Sequence, residues 1–409
     1  MRLLLLPSYF YPENAASYYL FDNMFETFSK YGFDMIVYTP VPCRGVGYGI
    51  RKKYKAITVE QLYNNRMIVH RFSLFSEGKN PFLRALRYSI CWIKQFNRGL
   101  FAKNIDCIFL ASTPPIQGVL GAMLKKLRNR PFIYNLQDIF PDSLAGTGLA
   151  KKGGILWKVG RVIENFTYQN SDKIIVISQD FKKNIMAKGV PVEKIEVIYN
   201  WVDENAVHPV AKEDNLLFEE FGLSRDKFTI VYAGNLGNAQ NISIIVEAAK
   251  QLPDIQFALF GTGGLEDELR TRIMKEQISN IFLNPLQPFA RVSQVYSLGD
   301  ACIVSCKAGL GGSAMPSKTW SIMSCGRPVV ASFDEGELKD ILESNNCGVF
   351  SHAGNVQEFV DAIKSLARNP SRCIEMGNNA RQFILDNLTK EVGTKKYVEI
   401  IRSVVGRMG

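Results

Sequence analysis

Short apolar runs rich in β-branched residues recur along the chain, spaced so that one helix fits between most neighbours. In the first half they cover residues 3–6, 35–39, 67–72, 107–111, 132–136 and 173–178; in the second, 228–233, 255–260, 281–283, 302–305 and 328–332. Near-continuous apolar character marks strands covered on both faces, so the alternation predicts an α/β chain with two doubly wound parallel sheets. Two Rossmann-like domains follow, over residues 1–200 and 201–387, with the boundary in the turn-rich stretch IYNWVDENAVHP at 198–209. A last helical pattern at 390–405 either extends the second domain or, as part of residues 388–409, packs back on the first. Ligands of open α/β sheets bind beyond the carboxyl ends of the strands, so a cleft between two such domains is the expected site.

Length agrees with this division, because 409 residues exceed the roughly 250–300 at which a single core stops growing. The opening apolar run at 3–6 is too short for a signal peptide and reads as a buried first strand, and no run approaches the ~18 residues of a spanning helix. Eight cysteines without CxxC pairing are expected to be reduced core residues of a cytosolic protein. The three histidines are too far apart for a metal site.

Charge changes the picture once it is divided. Residues 1–200 carry 28 Lys and Arg against 14 Asp and Glu, a net +14, whereas the remainder is −4, so the whole +10 excess lies in the first half. It gathers in RKKYK at 51–55, in KKLRNR at 125–130 and in residues 79–103. There Arg84, Arg87, Lys94, Arg98 and Lys103 alternate with Phe82, Leu83, Leu86, Ile90, Trp92, Ile93 and Phe96. Such a basic amphipathic helix either packs on a core with a solvated charged face or lies on an anionic leaflet. No nucleic-acid-binding module accompanies the charge.

The candidate chemistry lies in glycine-containing loops of the second half. GGSAMPSKTWSIMSCGRPVV, at 311–330, runs from Gly312 into Pro316, Ser317 and Lys318 and then into a helical stretch. Glycines let backbone N–H groups converge on an anion, Pro and Ser favour a helix start, and the lysine adds a full charge. At about 4 kcal/mol for a close charge pair against at most ~2 kcal/mol for a helix terminus, the lysine should dominate. The spacing is neither that of a P-loop nor GxGxxG. YAGNLGNAQ at 232–240, with Gly234 and Asn235, and FGTGG at 260–264, with Gly261 and Gly263, follow two successive strands. Each loop alone also fits an ordinary tight turn; together they suggest a nucleotide site. Asp138, just after a first-domain strand, either points into the cleft or caps its own turn. Glu335 and Glu337 either hold ligand hydroxyls or are solvated loop carboxylates.

LPSYFYPENAAS, LQDIFPDS, IIVISQDFKKN, VIYNWVD, YAGNLGNAQ, FGTGG and MPSKTWSIMSCGRPVVAS followed by DEGELKDILESNNCGVF resemble the retaining glycosyltransferases of family 4, of GT-B fold, over residues 2 to about 405. The stretch PSKTWSIMSCGRPVVASFDEGE is similar to the bacterial O-antigen and capsule enzymes that transfer N-acetyl-L-fucosamine or a related 6-deoxy amino sugar. The resemblance implies a UDP-sugar donor, a lipid-linked acceptor, no metal and no cofactor, at the cytoplasmic face of the membrane. It places Glu13 and Asn14 in a loop bordering the acceptor and donor sugar, and the lysine read above, Lys318, is then expected at the donor pyrophosphate. Five positions depart from the family. The two glutamates of the broad family fall on Ser313 and Ser321, its basic pair on Asn235 and Gln240, and its histidine before the aspartate on Gln137. A UDP-N-acetylhexosamine 2-epimerase and a catalytically degenerate GT-B scaffold subunit remain alternatives. Cleavage of a sugar from a nucleoside diphosphate builds positive character on the sugar and negative charge on a weakly basic leaving group, so fixed positive charge assists and a general acid is unnecessary.

Overall fold

The computed structural model describes residues 1–13, 18–76, 80–143, 151–313 and 315–406. The chain forms two compact units, Met1–Tyr199 with Glu391–Gly409, and Asn200–Lys390.

The sheet of the first unit contains β1 (Arg2–Leu5), β2 (Asp34–Pro40), β3 (Val59–Leu62), β4 (Met67–Phe72), β5 (Cys107–Ala111), β6 (Phe132–Leu136), β7 (Lys173–Val176) and β8 (Ile195–Val197). Their order is β3-β4-β2-β1-β5-β6-β7-β8. All pairs are parallel except β3 with β4, so an antiparallel edge strand closes a sheet that the apolar pattern predicts to be purely parallel. VEQL in β3 alternates exposed and half-buried positions, as an edge strand does, and lacks the apolar run of its neighbours. The strand order reverses direction between β1 and β5, and that switch point opens the carboxyl edge of the sheet to a ligand.

Helices α1 (Tyr18–Lys30), α2 (Tyr48–Ala56), α3 (Pro81–Phe101), α4 (Gln117–Arg128) and α5 (Ile155–Asn170) make the crossovers that concern the site. Asn80 starts α3 by accepting the N–H groups of Phe82 and Leu83, with Pro81 in the first turn. Helix α4 lies between α3 and α5. It packs closely because Gly121 faces the Phe132 ring, where a Cβ would come within 2.3 Å. The C-terminal helix Lys390–Gly406 belongs to this unit. Its Thr394 pairs with Thr27, and its Tyr397 meets the Phe109 ring and Asn135.

A buried amide pair fixes the loop after β1. Gln117 Nε2 lies 3.0 Å from Leu6 O, 2.8 Å from Ser8 Oγ and 2.8 Å from Gln95 Oε1, while Gln95 Nε2 donates to Pro7 O and Tyr38 O.

The second unit holds β9 (Thr229–Asn235), β10 (Gln256–Thr262), β11 (Ile281–Asn284), β12 (Ala301–Ser305), β13 (Val329–Phe333) and β14 (Gly348–His352). The order β11-β10-β9-β12-β13-β14, parallel throughout, is the dinucleotide-fold order with its switch point between β9 and β12. Ile230, Tyr232, Phe257, Leu259, Ile303 and Val330 lie in one buried core with Ile244, Ile245, Phe359 and Ile363.

Replacing Gln117 by Leu strands Gln95 Oε1 and Leu6 O without a donor, and each orphaned buried group costs about 1–3 kcal/mol. Gln117→Leu is therefore expected to lower the denaturation midpoint with an unchanged slope. An unaltered midpoint would show that packing alone holds the loop.

Candidate functional site

At the switch point of the second unit, β9 ends in Tyr-Ala-Gly-Asn and the loop after β12 leads into the short helix Lys318–Ser324. Lys318 extends its stem toward β9. Its Nζ stands 4.2 Å from the centre of the Tyr232 ring, is buried, and has no hydrogen-bond partner among the described residues. Burial lowers its pKa from 10.5 to about 8. The lone positive charge therefore rests on an aromatic face, which recovers part of the lost hydration. Tyr232 is fixed in turn, donating its hydroxyl to Asn235 O at 2.7 Å, and burial holds that hydroxyl protonated.

Gly234 has a positive φ of 145°, and a Cβ there would lie 2.8 Å from Lys318 Nζ. The loop must be bare at this position for the ammonium to reach it. Gly261 and Gly263 serve differently. A Cβ on Gly261 would come within 2.5 Å of Gly234 O, and one on Gly263 within 2.5 Å of Leu236 O. These glycines let the loops after β9 and β10 press backbone on backbone, joined by Leu236 N–H to Thr262 O and Leu265 N–H to Leu236 O. Gly312, by contrast, is exposed with open space around its Cα.

Asp334 was not singled out in the sequence, yet it organises the glycine turn. Its two oxygens accept the N–H groups of Gly309 at 3.0 Å and Gly311 at 2.7 Å. Tyr232 was likewise missed, since a tyrosine in an apolar strand reads as core. Two further polar atoms near this edge, Thr319 Oγ1 and Gln240 Oε1, are buried without a partner among the described residues.

The remaining candidates separate. Ser317 is exposed and precedes the helix in a helical conformation without a capping bond from its side chain; Pro316 and Ser321 are half-buried. Capping therefore does not account for the helix start. Glu335 is exposed and pairs with Lys339 at 2.9 Å and His352 at 3.2 Å. Glu337 is buried in the first turn of its helix.

In the first unit, Glu13 is a loop staple. Its carboxylate accepts backbone N–H groups from Phe10, Cys43 and Arg44 at 3.0, 2.7 and 2.9 Å. Asn14 lies outside the described residues. Asp138 follows β6; burial raises its pKa, while hydrogen bonds from Ser143 and the Ile139 N–H pull it back. It therefore does cap its own turn. Arg87, expected on the charged face of α3, is instead buried at 1% exposure. Among the described residues, no three His, Cys, Asp or Glu side chains come together as metal ligands, and no helix is long and apolar enough to cross a membrane.

The chain matches the family Glycosyltransferase Family 4 over residues 22–206 and the family Glycosyl transferases group 1 over residues 213–383. It is 22% identical to the probable glycosyltransferase WbjE of Pseudomonas aeruginosa, covering 81% of this chain and 82% of that protein. Over 68% of this chain and 70% of the other, it is 27% identical to the putative colanic acid biosynthesis glycosyl transferase WcaI of Escherichia coli K12. Anabaena HepE, solved in complex with UDP-glucose, superposes with a TM-score of 0.72 at 18% identity, covering 98% of this chain and 100% of that one. One family model falls on each parallel-sheet domain, and the chain is a family 4 glycosyltransferase of GT-B fold.

Proposed function

We propose that the second domain binds the diphosphate of a UDP-sugar through Lys318, and that the protein is a metal-independent, retaining transferase. The observation that carries this reading is a buried ammonium with no counter-ion among the described residues, held beside a glycine that must stay bare, at the switch point where such folds take their ligands. The backbone of Gly234 and Gly312, with Pro316, Ser317 and Ser321 around the lysine, forms the rest of the diphosphate site, and Asn235, Gly261 and Gly263 shape its floor. Glu337 is assigned to the nucleoside or sugar hydroxyls. When the glycosidic bond breaks, charge grows on the departing diphosphate, and a fixed cation in a water-poor site stabilises it more than the same cation in solvent. Asp138, although its carboxylate also caps its own turn, is assigned to the acceptor hydroxyl.

The UDP assignment draws support from HepE, whose structure holds UDP-glucose. The name of WcaI supports a role in surface polysaccharide synthesis. For the sugar, the PSKTWSIMSCGRPVVAS resemblance favours N-acetyl-L-fucosamine or another 6-deoxy N-acetylamino sugar, carried to a lipid-linked acceptor.

A membrane-surface role is supported by two apolar ridges. Helix α3 exposes Phe82 at 85%, with Leu83, Leu86 and Ile93; α5 exposes Ile155 at 85%, with Leu156, Val159 and Val162. Both helices begin beyond the carboxyl edge of the first sheet, and Arg84, Lys151, Lys152 and Lys158 are exposed around their first turns. Cations that attract an anionic leaflet, beside apolar side chains that enter it, suit a peripheral protein on the inner membrane face.

Three outcomes test these assignments. Lys318→Met should weaken UDP binding by roughly 10- to 100-fold, the worth of a charge-assisted contact, and should raise thermal stability by removing a buried charge. The folded pKa of about 8 lies below the unfolded 10.5. Below pH 8 the penalty is full in the free protein; it is relieved between the two values as the folded state gives up its proton first. UDP affinity should accordingly fall as pH rises through about 8 in the parent and not in the variant. Unchanged UDP affinity in Lys318→Met would remove the lysine from the site. Transfer should persist in chelator; loss of activity restored by Mg²⁺ would contradict the metal-free assignment. Binding to vesicles containing phosphatidylglycerol should be weakened both by high salt and by Phe82→Ser with Ile155→Ser. Retention under both would mean that another surface makes the contact.

A further inference from the structure

The first domain contains a second buried cation that makes no ion pair among the described residues. A cavity of about 150 Å³ lies at the carboxyl ends of β1 and β5, where the order of the first sheet reverses. Leu5, Phe25 and Phe109 form its apolar wall; Ser8, Thr113 and Gln137 are polar groups lining it, with Tyr9 and Arg44. The guanidinium of Arg44 lies 5.2 Å from the centre of the Tyr9 ring, and that of Arg87 lies 5.6 Å from it. Arg44 is exposed, and its side chain has no ion pair or hydrogen bond among the described residues. Arg87 donates from Nε to Phe75 O at 3.2 Å and from Nη2 to Cys43 Sγ at 3.1 Å, while Nη1 is buried with no partner. The Tyr9 hydroxyl is 2.7 Å from that of Tyr88, so the ring between the arginines is itself anchored.

Among the described residues, no carboxylate forms an ion pair with either arginine. Glu13 lies in the same loop, but its oxygens are taken by three backbone N–H groups, and it makes no ion pair with either arginine among the described residues. Glu60 is committed to Arg71 at 2.9 Å. A buried guanidinium without a carboxylate is strongly disfavoured unless something anionic completes it. A planar fork of donors matches the oxygens of a phosphate.

We propose that Arg44 and Arg87, arranged about Tyr9, form an anion subsite for a phosphate or diphosphate ester. On the donor assignment made above for Lys318, that ester is part of the acceptor. Arg44 makes the direct contact, and Arg87 supplies a fixed charge from within a region of low dielectric. The ester is either carried on a lipid or belongs to a water-soluble phosphorylated sugar; the recognising chemistry is the same.

The test uses the full-length protein with inorganic pyrophosphate as probe, followed by calorimetry in the Lys318→Met background and, separately, with UDP saturating. Pyrophosphate should still bind, and adding Arg44→Ala, an exposed change that the fold tolerates, should weaken it roughly tenfold or more. Arg44→Lys should recover part of the loss. Absence of pyrophosphate binding under both conditions, or equal affinity with and without Arg44, would overturn the subsite. Should Lys318→Met still bind UDP, the donor assignment fails, while the Arg44 comparison under saturating UDP still decides the subsite. Sedimentation with phosphatidylcholine vesicles, with and without a polyprenyl diphosphate, then identifies the source. Arg44-dependent capture supports a lipid-borne ester, and Arg44-dependent pyrophosphate binding without capture supports a soluble one.

Discussion

The second domain is organised around a lysine that it solvates poorly. Desolvation of Lys318 sufficient to bring its pKa to about 8 corresponds to a penalty of about 3 kcal/mol at neutral pH. That is a sizeable part of the net stability of an ordinary domain. Several neighbouring features follow from keeping the charge there. Tyr232 provides the aromatic face, Gly234 leaves the ammonium room, and Asp334 holds the opposite turn through two N–H groups. Strain of this kind is expected where a ligand restores what the free protein lacks.

The same logic operates on the first sheet. There, too, a cation is buried beside the place where the strand order reverses, next to an aromatic ring and without an ion pair among the described residues. Parallel sheets reverse order at one place, and their strands all deliver loops to one edge, so that edge concentrates polar backbone and side chains in an otherwise apolar structure. An uncompensated charge is tolerated most readily there, because the edge is wet enough for an anion to arrive. It is also dry enough for the attraction to exceed that of an exposed pair.

Much of the architecture was legible in the chain. Strands buried on both faces announce themselves as apolar runs, and the central strands β1, β5, β6, β9, β10, β12 and β13 all lie within or beside such runs. The peripheral β3, β8 and β14 did not, because VEQL, IEV and GVFSH are short and partly polar. Site chemistry was less legible. Lys318 could be picked out by type and neighbourhood, but its burial depends on β9, which is distant in sequence and fixed only by the fold. Gly261 and Gly263 looked like phosphate-approach glycines, whereas loop-on-loop packing requires them. Asp334 was passed over for Glu335 and Glu337 because a sequence does not show which of three nearby carboxylates turns inward. Arg87 was placed on a charged face for the same reason, since helical spacing alone does not distinguish a solvated arginine from one closed under a loop.

The departures at Ser313, Ser321, Asn235 and Gln240 bear on whether such a site can be active. Set against the broad family, two acidic positions and two basic positions are neutral here, so the formal charge of the region is unchanged while its internal pairs are gone. Loss of the glutamates alone would leave excess positive charge, and loss of the basic pair alone would leave a site hostile to diphosphate. Lost together, they leave Lys318 as the cation to which the proposed donor site assigns the diphosphate. Ser321 stands one turn along the helix from Lys318, the spacing at which a carboxylate would pair with the lysine and compete with the anion. A neutral residue there keeps the ammonium unpaired, as the structure shows it. A decaying site has no reason to retain a buried, uncompensated charge, because replacing it by an apolar residue would stabilise the domain. Its presence accords with the proposed donor site better than with a scaffold.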